Sequence, residues 1–173
     1  MTALIPGRPF PSIDLPKVGG GRLTNADFTA PYMTVLNVYR GLHCPRCKRQ
    51  IADFAARQEL LADEGVEVIS ISTDPQDRAE EVAATWTTGD MKIGYGLSID
   101  QARALGLFVS KSIREGETDF FAESGVFMIK ADGELWGSSI NSFPFMRPTA
   151  EMILDAVDTA KTRDYPPRGD AAA

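Results

Sequence analysis

The apolar positions of this chain switch between two periods. Met33-Thr34-Val35-Leu36-Asn37-Val38-Tyr39 is dense in β-branched and aromatic residues and predicts a buried strand. Ile51, Phe54, Ala55 and Leu61 then recur at helical spacing, and Gly65 offers a stop before the alternating Val66, Val68, Ile69 and Ile71 of a second central strand. Asp74-Pro75 supplies an N-cap and a first-turn proline for a helix through about Thr87, with Val82, Ala83 and Trp86 on its buried side. Ser98-Ile99-Asp100-Gln101 resembles a capping box and predicts a short helix ending near Gly106. Strand and helix in alternation imply parallel neighbours joined by right-handed crossovers.

The flanks read differently. Pro6, Pro9, Pro11 and Pro16, followed by Gly19-Gly20-Gly21, predict an edge strand or hairpin around Ile13 to Leu15 and Arg22-Leu23. That glycine run lacks the Lys-Ser/Thr of a phosphate loop and reads as a turn. From Leu107 to Ser124 the pattern is lost, and Phe120-Phe121 stand within a long polar connector of the kind that is often functional. Val126 to Ile129 and Leu135 to Ile140 flank Asp132-Gly133, which predicts a hairpin at an antiparallel edge. A last helix opens near Pro148, is expected to bury Met152, Ile153, Ala156, Val157 and Ala160, and fades by Arg163. Trp86, Trp136 and Phe143 read as core or rim packing.

A length of 173 residues fits one domain with a sizeable core, here residues 1–163, followed by a coreless, flexible tail over 164–173. A hydrophobic fraction of 43% and a charged fraction of 24% are those of a soluble globular chain. A net charge of −6 argues against nucleic acid as a partner, because phosphate binding needs clustered Lys and Arg. Met1 to Arg8 lacks the charged start and apolar run of a secretory signal, and no stretch is apolar enough to span a membrane, so a cytoplasmic location is expected.

The chemistry is concentrated in His43-Cys44-Pro45-Arg46-Cys47, which holds both cysteines and the one histidine of the chain. The pair sits where a strand hands over to a helix. Unpartnered N–H groups and the positive dipole end at a helix start stabilise a thiolate. A free thiol near pKa ~8.5 falls to roughly 3.5–7.5 in such a Cys-x-x-Cys setting. A reversible dithiol is therefore the first reading, with Cys44 as the exposed nucleophile and Cys47 as the buried second thiol. Three others compete with it. A structural zinc site needs four ligands and finds no second pair here; a disulfide closing so small a ring stabilises by only about 2 kcal/mol; and two inert core cysteines stay open. Arg40, Arg46 and Arg49 crowd the motif and are candidates for lowering a thiol pKa or holding an oxyanion, against the alternative of solvated surface groups. His43 is a candidate for tuning Cys44 or shuttling a proton, or it packs beside the motif.

Taken in order, strand, Cys-x-x-Cys on a helix, strand, helix, hairpin and final helix resemble the thioredoxin fold, an α/β single domain whose central mixed β-sheet is flanked by helices. Leu36 to Cys47, with Val68 to Pro75 and the start of the hairpin at Val126 to Gly133, is more specifically similar to the alkyl hydroperoxide reductase C and thiol-specific antioxidant family, the peroxiredoxins. The likeness covers roughly residues 5–160 and is closest to a peroxiredoxin-like branch with Tyr-Arg-Gly shortly before Cys-Pro-x-Cys. It implies an antioxidant thiol peroxidase in which Cys44 is oxidised by a peroxide to a sulfenic acid that a second thiol resolves. Cys47 suits that second role, with a thiol reductant such as a thioredoxin or glutathione system. Where the family pattern has a proline, a threonine and a distant arginine, this chain carries Asn37, Gly41 and Ser124. The same two cysteines also suit a thioredoxin-like thiol-disulfide oxidoreductase or a non-enzymatic redox sensor. Arg40, Gly41, His43 and Pro45 are the expected supporting residues, and Phe120, Phe121 and Gly125 the expected substrate pocket. Neither cofactor nor metal is expected, and a homodimer is a further expectation.

Overall fold

The computed structural model describes residues 4–171; the expectations that fall on residues 1–3 and 172–173 lie outside it. Two short strands, β1 (Asp14–Pro16) and β2 (Arg22–Thr24), form the expected hairpin by pairing antiparallel. The main sheet begins with β3 (Met33–Val38), all six residues of which are buried. Helices α1 (Pro45–Ala56) and α2 (Gln58–Asp63) lead to β4 (Val66–Ile71), which pairs parallel to β3. Helix α3 (Gln76–Thr85) leads to β5 (Lys92–Gly94), again parallel and absent from the sequence reading. Its apolar signal is a single buried Ile93, too little to register as a period.

After α4 (Ile99–Ala104), opened by the expected Ser98–Gln101 capping box, the connector is not structureless. It folds into a hairpin of β6 (Val109–Lys111) and β7 (Phe120–Ala122). Strand β8 (Gly125–Lys130) lies antiparallel to β3, and β9 (Leu135–Ile140) forms the far edge, giving the order β5-β4-β3-β8-β9. Helix α5 (Ala150–Thr162) closes the fold, capped by Thr149 rather than opened by Pro148. Met152 is 58% exposed on it, a correction to the expected core face, which is carried by Ile153, Val157 and Ala160.

Pleating sends alternate residues of the central strands to two cores. Leu36, Val38, Ile69, Ile71, Phe127 and Ile129 pack with α4 and with Phe10, Ile13, Leu15 and Leu23 of the N-terminal segment. Met33, Val35, Val66, Val126 and Met128 pack under Phe54 of α1, Leu61 of α2 and the buried face of α5. With both faces covered, β3 buries two polar side chains, Thr34 and Asn37, and the Asn37 Nδ2 donates to Ser70 Oγ at 3.0 Å. Past α5 the chain runs without helix or strand along the N-terminal segment, and Trp136 Nε1 donates to the Tyr165 carbonyl at 3.0 Å.

Candidate active site

The dithiol lies just beyond the C-terminal end of β3, at the mouth of the crossover, where an open sheet gathers its ligand sites. Cys44 is the N-cap of α1 and Pro45 its first residue, so the ring fixes φ where no N–H is required. The capping acceptor is sulfur: Cys47 N–H donates to Cys44 Sγ at 3.3 Å. Cys47 Sγ in turn accepts Arg40 N–H at 3.2 Å. Cys47 is buried as expected, but Cys44, expected to be exposed, is itself only 1% exposed: as the N-cap it turns its sulfur inward over the first turn of α1, and both cysteines pack with Tyr39, Ile51, Val82 and Trp86 in a third apolar cluster.

Two guanidinium groups converge on Cys44 Sγ: Arg40 Nη1 at 3.9 Å and Arg147 Nη2 at 3.7 Å. Arg40 is locked by an ion pair with buried Glu123 at 3.0 Å and lies over the Phe121 ring, 4.9 Å from its centroid. Glu123 accepts Ser110 Oγ–H at 2.6 Å, so the β6–β7 hairpin braces the pair. Arg147 donates to the Pro144 carbonyl at 3.1 Å and to Gln50 Oε1 at 3.4 Å, while Gln50 Nε2 donates to the Pro148 carbonyl at 3.0 Å.

The two sulfurs are driven apart in acidity. The Cys47 thiol donating to Cys44, helped by the Cys47 N–H and both guanidiniums, outweighs burial and brings Cys44 down to about 5. Burial first, and then the adjacent Cys44 sulfur, push the Cys47 thiol up. At neutral pH the pair is one thiolate and one thiol.

The loop between β3 and α1 is clamped from below. Asp74, fully buried, accepts Leu42 N–H at 2.7 Å and Arg78 Nε–H at 3.1 Å. Its side chain is therefore not the N-cap of α3, a position held by Pro75. Gly41, at φ +136°, permits this approach, since a Cβ there would meet Asp74 Oδ1 at 2.7 Å. Arg78 also donates to the Gly116 carbonyl at 2.8 Å and so ties the tip of the β6–β7 hairpin to the same carboxylate.

Of the residues the sequence nominated, Arg40, Gly41, Pro45 and Phe121 gather round the dithiol. His43 sits edge-on to Phe121, 4.8 Å between centroids, with both ring nitrogens buried and unpartnered. Burial, reinforced by Arg40, lowers it to about 4, so it is neutral at pH 7 and hydrogen-bonds to neither sulfur. Phe120 points outward at 51% exposure, and the space over Gly125 is filled by Leu107 of the opposite core, so neither lines the dithiol pocket. Arg147, Glu123, Gln50 and Asp74 are the residues sequence reasoning missed. Among the described residues no group of three or more His, Cys, Asp or Glu is placed to hold a metal ion, and no helix is long and apolar enough to cross a membrane.

A five-stranded mixed sheet with a Cys-x-x-Cys pair at the first helix defines a dithiol protein of thioredoxin-like fold. Residues 6–136 match the AhpC/TSA family, and the chain belongs to it. Among solved structures, a cysteine-to-serine mutant of peroxiredoxin 6 of Arenicola marina superposes with a TM-score of 0.77 at 18% identity, covering 94% of this chain and 76% of that one. Peroxidoxin BcpB of Mycobacterium tuberculosis gives 0.73 at 17% identity, covering 92% and 99%. The reduced 2-Cys peroxiredoxin of Plasmodium vivax gives 0.76 at 12% identity, covering 93% and 84%. At these identities the likeness is one of fold. A search of curated protein sequences finds no match.

Proposed function

We propose that this protein is a thiol peroxidase cycling through a Cys44–Cys47 disulfide. Membership of the AhpC/TSA family supports thiol peroxidase chemistry in general. The observation that carries the finer reading is the convergence of Arg40, Arg147 and Cys47 N–H on the Cys44 sulfur, in a site too closed for a bulky substrate. The Cys44 thiolate attacks one peroxide oxygen, the O–O bond breaks, and the departing oxygen takes up a proton and leaves as water or alcohol. The guanidiniums that hold the thiolate are placed to donate to the oxygen as its charge grows, the role of preorganised donors. Cys44, now a sulfenic acid, is attacked by Cys47; water leaves, the disulfide closes, and an external thiol reductant reopens it.

A thiol-disulfide oxidoreductase would use the same pair, and the N-cap thiolate above a buried second thiol favours that reading as well. Exposure of the reduced site favours the peroxidase: hydrogen peroxide needs little more room than water, whereas a protein disulfide must reach a reduced sulfur that is 1% exposed. Stopped flow of the reduced protein with hydrogen peroxide or an organic hydroperoxide, run beside insulin and glutathione disulfide, tests the choice. Peroxide consumption well above that of free cysteine at matched thiolate fraction is expected, with Cys47→Ser trapped as a dimedone-reactive sulfenic acid. Fast disulfide exchange beside a peroxide rate no better than free cysteine would promote the oxidoreductase.

A further inference from the structure

We infer that the cationic and aromatic collar round Cys44 docks an acidic protein dithiol, the reductant of the Cys44–Cys47 disulfide; this rests on the cycle proposed above. Arg46, Lys48 and Arg49 are all exposed on the first turns of α1, and that stretch carries no acidic residue. Among the described residues none of the three is in an ion pair. Across the dithiol, the segment after β9 exposes Phe143, Phe145 and Met146 at 55%, 57% and 61%. The two sides form one surface, because Arg46 stacks over the Phe145 ring at 4.7 Å and Arg147 of the same segment reaches Cys44. Aromatic anchors beside arginine are what carry protein–protein recognition.

Charge names the partner. The chain is net −6, yet the first turns of the helix that Cys44 caps expose three cations and no carboxylate, and Glu117, the carboxylate that acts on His43, is paired with Arg114. At ~0.1 M salt the Debye length is about 10 Å, so a docked face feels the collar and not the remote acidic residues. Oxidation removes one of the contacts that close the site. A disulfide sulfur is neutral, so on oxidation Arg147 loses its anionic partner, and the aromatic segment is held to α1 by the Gln50 contacts and the Arg46–Phe145 stack. The partner's thiolate then attacks Cys44 Sγ, the Cys44–Cys47 bond breaks, and Cys47 leaves and takes up a proton. The partner's second thiolate attacks its own sulfur in the mixed disulfide and releases Cys44 as thiolate. Two electrons pass from the partner dithiol to this protein.

The test uses the full chain with its disulfide closed by diamide, so that docking is read independently of peroxide chemistry. Two synthetic Cys-x-x-Cys dithiol peptides, identical except for glutamate or lysine flanks, serve as reductants, with dithiothreitol as the uncharged reference. The glutamate peptide should reduce the protein at least tenfold faster than the lysine peptide at 0.1 M salt. The gap should close at 1 M salt, and Lys48→Glu/Arg49→Glu should invert the order. Equal rates for the two peptides, with a normal dithiothreitol rate, would overturn the docking surface and leave the peroxidase reading standing. A charge effect on oxidation by a fatty-acid hydroperoxide, with none on reduction, would assign the collar to substrate and overturn it too. Slow peroxide reduction with the peptide preference intact would instead count against the peroxidase alone.

Discussion

Cys44 and Cys47 sit three positions apart and are held in opposite protonation states, a difference that pH resolves. Cys44 is brought to about 5 by the Cys47 thiol and N–H and by two guanidiniums. Alkylation with iodoacetamide should therefore titrate near pH 5, disappear in Cys44→Ser and survive in Cys47→Ser at a higher apparent pKa, because the donating thiol has gone. Arg147→Ala should raise it as well, by about one unit, the scale of one charge-assisted hydrogen bond. A profile unchanged in Arg147→Ala would show that this guanidinium contributes nothing to the thiolate. His43 supplies a second titration. Its folded value near 4 lies below the ~6.5 of an unfolded histidine, so between these values the unfolded chain binds more protons. The stability that the neutral ring contributes is complete above pH 6.5 and is lost as pH falls toward 4. Urea unfolding across that window should show a steeper loss for the native chain than for His43→Leu, by about 2 kcal/mol in total. Reading the slope separates this from the packing that the substitution itself disturbs.

Between elements, what matters is how the β3–α1 loop is held over Asp74. Gly41→Ala places a Cβ within 2.7 Å of the Asp74 carboxylate, at a φ of +136° that L residues rarely adopt. We expect a cost of about 2–4 kcal/mol in thermal or urea unfolding. A rise in the alkylation pKa of Cys44 should accompany it as the loop moves off its cap. A variant of native stability and native thiol reactivity would mean that the loop repacks freely. The strand-to-helix hand-over at Cys44 was legible because it is a local pattern: a β-rich run, then Cys-Pro, then helical spacing. Its partners were not. Asp74 lies 32 positions from Leu42 and Arg147 lies 103 from Cys44, so no window of sequence brings them together. Asp74-Pro75 even carries a plausible cap signal of its own, which the longer-range bond to Leu42 outcompetes. Likewise Phe120-Phe121 marked a functional connector, but alternation in β7 turns only Phe121 toward Arg40 and His43.

For the molecule as a whole, the order of elements carried the fold, since alternation plus a terminal hairpin leaves few ways to build one sheet. Short elements escaped: β5, β6 and β7 are three residues each, below what a period can reveal, and their pairing is fixed by tertiary contacts instead. The segment after α5 poses the same question at the scale of the chain. It has no buried apolar side chain, yet Trp136 Nε1 donates to the Tyr165 carbonyl and Gly169 lies against Pro6. One partly exposed hydrogen bond and a few apolar contacts stabilise by about 1 kcal/mol, which for a domain of this size is a Tm shift of roughly 2–4 °C. Cutting the chain after Asp164 should lower Tm by that much. Thiol reactivity should be untouched, because the register separates the two regions. Gly137 pairs with Met128 and Met128 with Val35, near the start of β3, whereas Cys44 follows its far end. A Cys44 alkylation profile that shifts on truncation would show that the two ends of β3 are coupled through the sheet, and a Tm loss above about 8 °C would make the tail part of the core it borders.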